Sequence, residues 1–353
     1  MKLESREWGF FVTGEIFTFS NSVAYHKKNL NVIKQDIPYI SRTNKNNGLE
    51  EIIEKSNNLI LNKKNTIVFG AENATFFFQP FEYITGNKMY VIFYNKINNK
   101  YIGIFINTAL NKSVKNCGFG YGQGLTATRE KRRPISLPVN KNNKPDCPFM
   151  EYYAKSIFKT KDEKYLYYIK KVLEKLEYKK IVSLQEKEWR EFFISDICEI
   201  RAGKRLTKAD MKEGNKPFIG SSDSNNGITN FVSNTNNSED FNVLGVNYNG
   251  SVVENFYHPY KAIFSDDVKR LSLKDIEGNE YLYLFIKNVI LKQKSKYQYA
   301  YKFNEKRLKR QKILLPVNDK EEPDYVYMEQ YIKNIKVKKI KQYLDFKMKT
   351  DKN

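Results

Sequence analysis

The sequence predicts an α+β protein: two similar mixed α/β domains separated by two long helices packed as an antiparallel coiled coil. Three observations predict it. The chain repeats one pattern near each of its ends, the hydrophobic period switches from strand to helix directly after each copy, and 353 residues suffice for about two domains. The predicted boundaries are 1–147 for the first globular domain, 148–182 for a central spacer helix, 183–324 for the second domain and 325–353 for a C-terminal spacer helix.

The repeat reads I-x-L-P-V-N-x4-P-D-x3-M-E-x-Y-x-K-x-I. Its first copy runs from Ile135 through Leu137-Pro138-Val139-Asn140, Pro145-Asp146 and Met150-Glu151 to Ile157, and its second from Ile313 to Ile335, with 12 identities in 23 residues and no gap. Upstream, Trp8 answers Trp189, and Asn46-Asn47-Gly48 answers Asn225-Asn226-Gly227, at offsets of 181 and 179 residues against 178 for the main pattern. The chain therefore reads as a duplication of a unit of about 180 residues, which is the size of a domain rather than of a solenoid repeat.

Within each unit, Ile67-Val68-Phe69 and Met89 to Tyr94 are aromatic and β-branched runs bounded by Asn, Gly and Lys, which predicts short strands. The Asn-Asn-Gly triplets supply residues that tolerate positive φ and predict turns. Tyr297, Tyr299, Tyr301 and Phe303 alternate with polar residues and predict a strand. Asp146 and Asp324 stand as N-caps of the helices, with Pro148 in the first turn. Met150, Tyr153 and Ile157, then Leu166, Ile169, Leu173 and Leu176, share one helix face, and Met328, Tyr331, Ile335, Ile340 and Leu344 do the same in the second unit. Thr160-Lys161-Asp162-Glu163 has the form of a capping box and suggests a helix restart there. Unbroken from 148 to 182, the helix would be roughly 50 Å long.

Composition narrows the function. Lys and Arg number 61 against 40 Asp and Glu, a net charge of +21, which favours a polyanionic partner. The three cysteines (Cys117, Cys147, Cys198) have no paired spacing, so neither a disulfide framework nor a zinc site is expected. The N-terminus lacks the apolar core of a signal peptide, and no apolar run of ~20 residues exists to cross a bilayer, so a cytoplasmic protein without membrane contact is expected.

Catalytic chemistry is thin. The two histidines, His26 and His258, stand in unmatched contexts. Gly118-Phe119-Gly120-Tyr121-Gly122-Gln123-Gly124 resembles a cofactor loop, but polar residues precede it where a buried strand is needed, so no bound cofactor is expected. Asp267-x-Lys269 has the form of a nuclease centre and is missing from the first unit. No catalytic residue and no metal site are assigned.

Candidate DNA contacts are more numerous. Lys302, Lys306, Arg307 and Arg310 lie in a basic stretch of the second unit, and Arg129, Arg132 and Arg133 occupy the same region of the first. Cations there would hold phosphates, and arginine could read guanine. Arg42, Asn44 and Asn46 in one loop, Ser222 and Asn225 in its counterpart, and Asn73 and Asn249 nearby carry groups that pair with base edges, adenine above all. Lys204 and Arg205 add a basic loop early in the second unit.

With these residues in place, the chain resembles the specificity subunits of type I and related type IIB restriction-modification systems. The second unit carries Trp189 to Phe193, Gly203-Lys204-Arg205-Leu206, Pro217-Phe218-Ile219, Asn225 to Ile228, Val246 to Ser251, Ser265-Asp266-Asp267-Val268 and Leu315-Pro316-Val317, similar to the successive blocks of a target recognition domain. The first unit matches at Gln79-Pro80-Phe81, Thr85-Gly86, Tyr121-Gly122 and Leu137-Pro138-Val139 but lacks the Gly-Lys-Arg-Leu block. The resemblance implies that each target recognition domain reads one half of a split site in double-stranded DNA. It implies helices that set the spacing and dock methyltransferase (modification) subunits, two of them, which bring S-adenosylmethionine and methylate adenine N6. A restriction (nuclease and translocase) subunit, or a nuclease domain fused to the methyltransferase, would cut unmodified DNA. The competing readings are a stand-alone sequence-specific DNA-binding protein and a metal-dependent nuclease built on Asp267 and Lys269.

Overall fold

The computed structural model describes residues 3–120, 122–297 and 301–350. It divides into two compact units, Met1–Leu166 and Tyr167–Asn353. The first unit contains, in order, β1 (Trp8–Val12), α1 (Thr13–Ile16), β2 (Thr18–Asn21), β3 (Val32–Ile40), β4 (Leu49–Ile53), β5 (Thr66–Gly70), β6 (Phe76–Gln79), β7 (Ile84–Thr85), β8 (Met89–Phe93), α2 (Lys100–Val114), α3 (Ala127–Glu130), β9 (Pro134–Pro138) and the start of α4 (Cys147–Lys175). β1 pairs with β9, a four-stranded sheet runs β2-β8-β5-β6, and a three-stranded sheet runs β4-β3-β7 with β3 and β7 parallel.

The second unit contains β10 (Trp189–Phe193), α5 (Ile194–Ile197), β11 (Cys198–Ala202), β12 (Glu213–Ile219), β13 (Ile228–Val232), β14 (Val243–Asn247), β15 (Asn255–His258), β16 (Ile263–Phe264), β17 (Val268–Leu273), α6 (Glu280–Leu291), α7 (Glu305–Arg310), β18 (Lys312–Pro316) and α8 (Tyr325–Thr350). Its sheets, β10-β18, β11-β17-β14-β15 and β13-β12-β16, repeat the first unit's topology strand for strand. The register is kept as well: Trp8 faces Pro138 and Trp189 faces Pro316, and the register shifts at Tyr39/Ile40 and at Phe218/Ile219 coincide.

The helix that covers each four-stranded sheet follows from sequence. Asn99 and Asn279 each cap with one side-chain oxygen accepting from the amides two and three residues on. Ile102, Ile106, Leu110 and Val114, and Leu282, Ile286 and Ile290, then fall one turn apart and bury into their cores. Gly103 is needed because a Cβ there would lie 2.2 Å from the Phe78 ring. The base of each unit is the same aromatic ladder. Trp8 stacks on Phe105, which meets Tyr153 edge-on, and Trp189 stacks on Phe285, which meets Tyr331 edge-on. Asp146 and Asp324 do cap α4 and α8, accepting from Phe149 N and Tyr327 N at 3.1 and 2.9 Å.

Several expectations need correction. α4 runs straight through Thr160-Lys161-Asp162-Glu163, where mostly exposed side chains leave the helical backbone bonds uncontested, so no restart occurs. It ends at Lys175, and Leu176 to Val182 lie beyond it as irregular chain. Around Tyr297 to Phe303 the described residues form no strand beyond an isolated bridge at Tyr301, and Gln298, Tyr299 and Ala300 lie outside the described residues. Tyr297 instead touches both Tyr301 and Phe303, with ring centroids 5.7 and 4.4 Å away, so these rings pack on one another rather than alternate across a pleat. Met150 and Met328 are wholly buried in their own domain cores, so neither offers a docking surface. Ile157 and Ile335, two turns further on, are each 39% exposed.

Candidate nucleic-acid interface

In both units the Asn-Asn-Gly triplet forms a single turn of left-handed backbone. Asn46, Asn47 and Gly48 have φ of 49°, 54° and 78°, and Asn225, Asn226 and Gly227 have 50°, 51° and 73°. The turn requires these residue types for backbone reasons. Asn46 and Asn225 thus serve the turn's backbone, and their side chains stay exposed.

The residues around the turn brace it. Asn73 donates through Nδ2 to Arg42 O at 2.9 Å and to Asn44 Oδ1 at 2.8 Å, while its own Oδ1 is buried without a partner. Asn249 donates instead to Asp267 Oδ1 at 3.0 Å, with its own Oδ1 likewise buried and unpartnered. Both amides face inward in this conformation. Ser222 works within its loop too, its Oγ accepting from Ser224 N at 3.2 Å and its carbonyl from Asn247 Nδ2 at 3.0 Å.

The cations divide by partner. Arg42 pairs with Glu72, which also accepts from Lys88 at 3.1 Å. The hydrogen bond from Lys88, against some burial and with help from Arg42, holds the Glu72 carboxyl below its usual range. Lys269 pairs with Glu305 at 3.3 Å and lies 5.2 Å from the Tyr248 ring centroid. Arg205 reaches Asp266 only at 3.8 Å and is largely exposed, and Lys204, Lys306, Arg310 and Arg132 are exposed. Arg133 is held inward, donating to Ser113 O and Cys117 Sγ and lying 5.2 Å from the Phe119 ring. Arg129 and Arg307 donate to the backbone carbonyls of Gly124 and Lys302. In the first unit an open cleft of about 810 Å³ runs between Lys88 and Tyr90 on one wall and Thr126, Thr128 and Arg129 on the other.

The Gly203-Lys204-Arg205 loop has a firm physical cause: a Cβ on Gly203 would sit 2.0 Å from the Ser265 carbonyl oxygen, so only glycine lets the loop cross there. The acid-x-Lys element is not a catalytic pair. Asp267 receives Asn249, and Lys269 turns to Glu305. Among the described residues no group of His, Cys, Asp and Glu could hold a metal ion. His258 is buried beside Tyr260, and burial, with Lys287 adding, lowers its pKa to about 4, so it stays neutral near pH 7. The Gly118 to Gly124 loop follows α2 and leads into the four-residue α3, not into a long helix from a buried strand.

Sequence reading missed one constellation that the duplication could have revealed. Arg6 pairs with Asp146 and lies 4.6 Å from the Phe149 ring, while Lys187 pairs with Asp324 at 2.8 Å and lies 5.1 Å from the Tyr327 ring. Aligning the units at an offset of 181 sets these two cations opposite each other.

The same left-handed turn therefore recurs on one duplicated scaffold in both units. The family model "Type I restriction modification DNA specificity domain" matches twice, over residues 5–179 and 186–344. The chain belongs to that family, as a specificity subunit, the non-catalytic DNA-recognition component of a restriction-modification system. It is 45% identical over 296 residues to the type II restriction enzyme BgcI specificity subunit S.BcgI of Heyndrickxia coagulans, covering 84% of each chain. Among solved structures, a type I restriction-modification S subunit from M. genitalium aligns at 17% identity and TM-score 0.49 (98% of this chain, 93% of that one). The HsdS subunit from Thermoanaerobacter tengcongensis aligns at 12% and 0.33 (96% and 90%). Both likenesses are too loose to carry an argument. No helix among the described residues is long and apolar enough to cross a membrane.

Proposed function

We propose that each unit reads one half of a bipartite site in duplex DNA and that the chain docks adenine-N6 methyltransferase subunits, two of them, together with a restriction (nuclease) subunit. The observation that carries this reading is the duplication itself. Two domains with one topology and one register present the same braced turn and the same basic segment, at α3 and α7, as two half-site readers would. Exposed Arg132, Lys306 and Arg310 flank those segments and are suited to phosphates, and Lys204 and Arg205 add to the second unit.

In this reading α4 and α8 pair as an antiparallel coiled coil that sets the half-site spacing, and the exposed Ile157 and Ile335 are among the apolar residues open to a partner. Ile169 and Ile340 are already buried, and Leu166, Leu173 and Leu344 half-buried, which suits a helix seam, while the buried Leu176 lies past the end of α4. S-adenosylmethionine belongs to the methyltransferase, and the complex works in the cytoplasm. The test is genome-wide mapping of methylated adenine with and without this gene. Loss of a split motif on deletion establishes the reading and gives both half-sites. An unchanged methylome in a strain whose partner methyltransferase is active overturns it.

A further inference from the structure

The loop ahead of α3 and the loop ahead of α7 share almost no sequence, yet both are closed by the same arginine. Arg129 Nη1 donates to Gly124 O at 2.6 Å, and Arg307 Nη1 donates to Lys302 O at 2.8 Å, each reaching back five residues. The two arginines stand 178 residues apart, the offset of the duplication. Each follows a helix cap by three residues, with Thr126 Oγ1 and Asn304 Oδ1 accepting from the arginine's own amide at 3.3 and 3.0 Å. Ahead of each cap stands one wholly buried apolar residue, Leu125 or Phe303. Arg307 lies in addition 3.7 Å from the Tyr301 ring centroid.

We infer that Arg129 and Arg307 are positioning residues, clamps that fix the shape of the adjoining DNA-facing loop and so set its sequence specificity, and not phosphate contacts. The inference rests on the DNA-reading role proposed above. The target in both units is a neutral carbonyl, kept while the loop's side chains differ (Gly124 against Lys302), so the shared property is backbone geometry rather than charge balance. A cap and a side-chain bond from one residue fix both ends of a five-residue arc. The loop's variable side chains are then held at constant height above a constant scaffold.

The experiment compares Arg129→Ala, Arg129→Lys, Arg307→Ala and Arg307→Lys in the full chain by two readouts. Amide hydrogen exchange of 122–129 and 301–307 is measured without DNA, and motif enrichment from a randomised duplex pool is followed by the salt dependence of binding to the selected site. The clamp predicts exchange about tenfold faster or more in the affected loop only. It predicts loss of about tenfold or more in discrimination confined to one half-site, with the slope of log affinity against log salt kept in the alanine variants. A phosphate contact predicts a slope lower by about 1 in the alanine variants and wild-type behaviour in the lysine variants. That result, or unchanged exchange in the alanine variants, overturns the clamp. Faster loop exchange with no duplex binding by the wild-type chain would instead retain the clamp and sink the DNA-reading role.

Discussion

Replacing Glu130 by leucine should remove a pH-dependent weakness of the first unit. Glu130 is 0% exposed and sits where the second unit has the equally buried Leu308, 178 residues on. Neither carboxylate oxygen has a hydrogen-bond partner, and the Arg133 Nε stands 3.5 Å away. Burial pushes its pKa up to about 7 from an ordinary 4.5, with Arg133 pulling the other way. A raised folded-state value means that the native protein holds the proton more tightly than the unfolded chain. The stabilisation is therefore full below about pH 4.5 and is lost as pH rises through about 7. At about 1.4 kcal/mol for each tenfold in proton affinity, the wild type gives up about 2–3 kcal/mol between pH 5 and pH 8 through this residue. The assay is urea unfolding followed by tryptophan fluorescence in a Trp189→Phe background, which leaves Trp8 to report on the first unit. Glu130→Leu should gain on its parent from pH 5 to about pH 7 and level off above it. A gap between the two that stays constant from pH 5 to pH 8 would refute the reasoning.

Gly203→Ala should destabilise the second unit by about 1–3 kcal/mol, because its Cβ would meet the Ser265 carbonyl at 2.0 Å and backbone cannot rotate aside as a side chain can. Gly120→Ala, which meets nothing within 4 Å, is the control and should leave the thermal midpoint unchanged within error. A double-mutant cycle between Lys187→Ala and Asp324→Ala should return a coupling of about 1–2 kcal/mol, since the pair spans 2.8 Å with both side chains under a fifth exposed. Additive losses in urea titrations would show that Asp324 acts only as the cap of α8.

Much of this fold was legible because a duplication writes it twice. Residues that matter to the scaffold, such as Trp8 and Trp189 or Asp146 and Asp324, stand at a near-constant offset, and the structure finds each pair in the same contact. What misled is local pattern without tertiary context. Thr160 to Glu163 has capping chemistry, but a helix ends only where its backbone bonds find better partners, and here Lys159 and Glu163 stand 4.0 Å apart along the unbroken α4. The aromatic alternation at Tyr297 to Phe303 imitates a pleat, while the Tyr297 ring packs on those of Tyr301 and Phe303. The site was legible by composition and not by role. Arg42, Arg133 and Arg307 read alike in sequence, and only the fold turns one to a carboxylate, one to Ser113 and Cys117, and one to a carbonyl.

That division of roles bears on how such a protein changes what it reads. Contacts held in common by the two units (the aromatic ladder, the cation on the helix-start ring, the left-handed turn, the arginine reaching back to a carbonyl) tie backbone to backbone or helix to sheet. Contacts that differ lie on the outward segments: the first unit places Glu72 between Arg42 and Lys88, and the second sets Glu305 between Lys269 and Lys309. In Glu305 the hydrogen bond from Lys309, with Lys269 adding, keeps the carboxyl below its usual range, so both carboxylates are charged near pH 7 and hold cations that a phosphate would otherwise attract. Exchange of a carboxylate for a phosphate conserves charge pairing and releases few counterions, so these cations add little to the salt dependence of binding. In the proposed DNA-binding role, exposed cations such as Arg132, Lys306 and Arg310 would carry that dependence instead. On the proposed half-site reading, discrimination would then come from loops whose shape the scaffold fixes and whose side chains differ between the units.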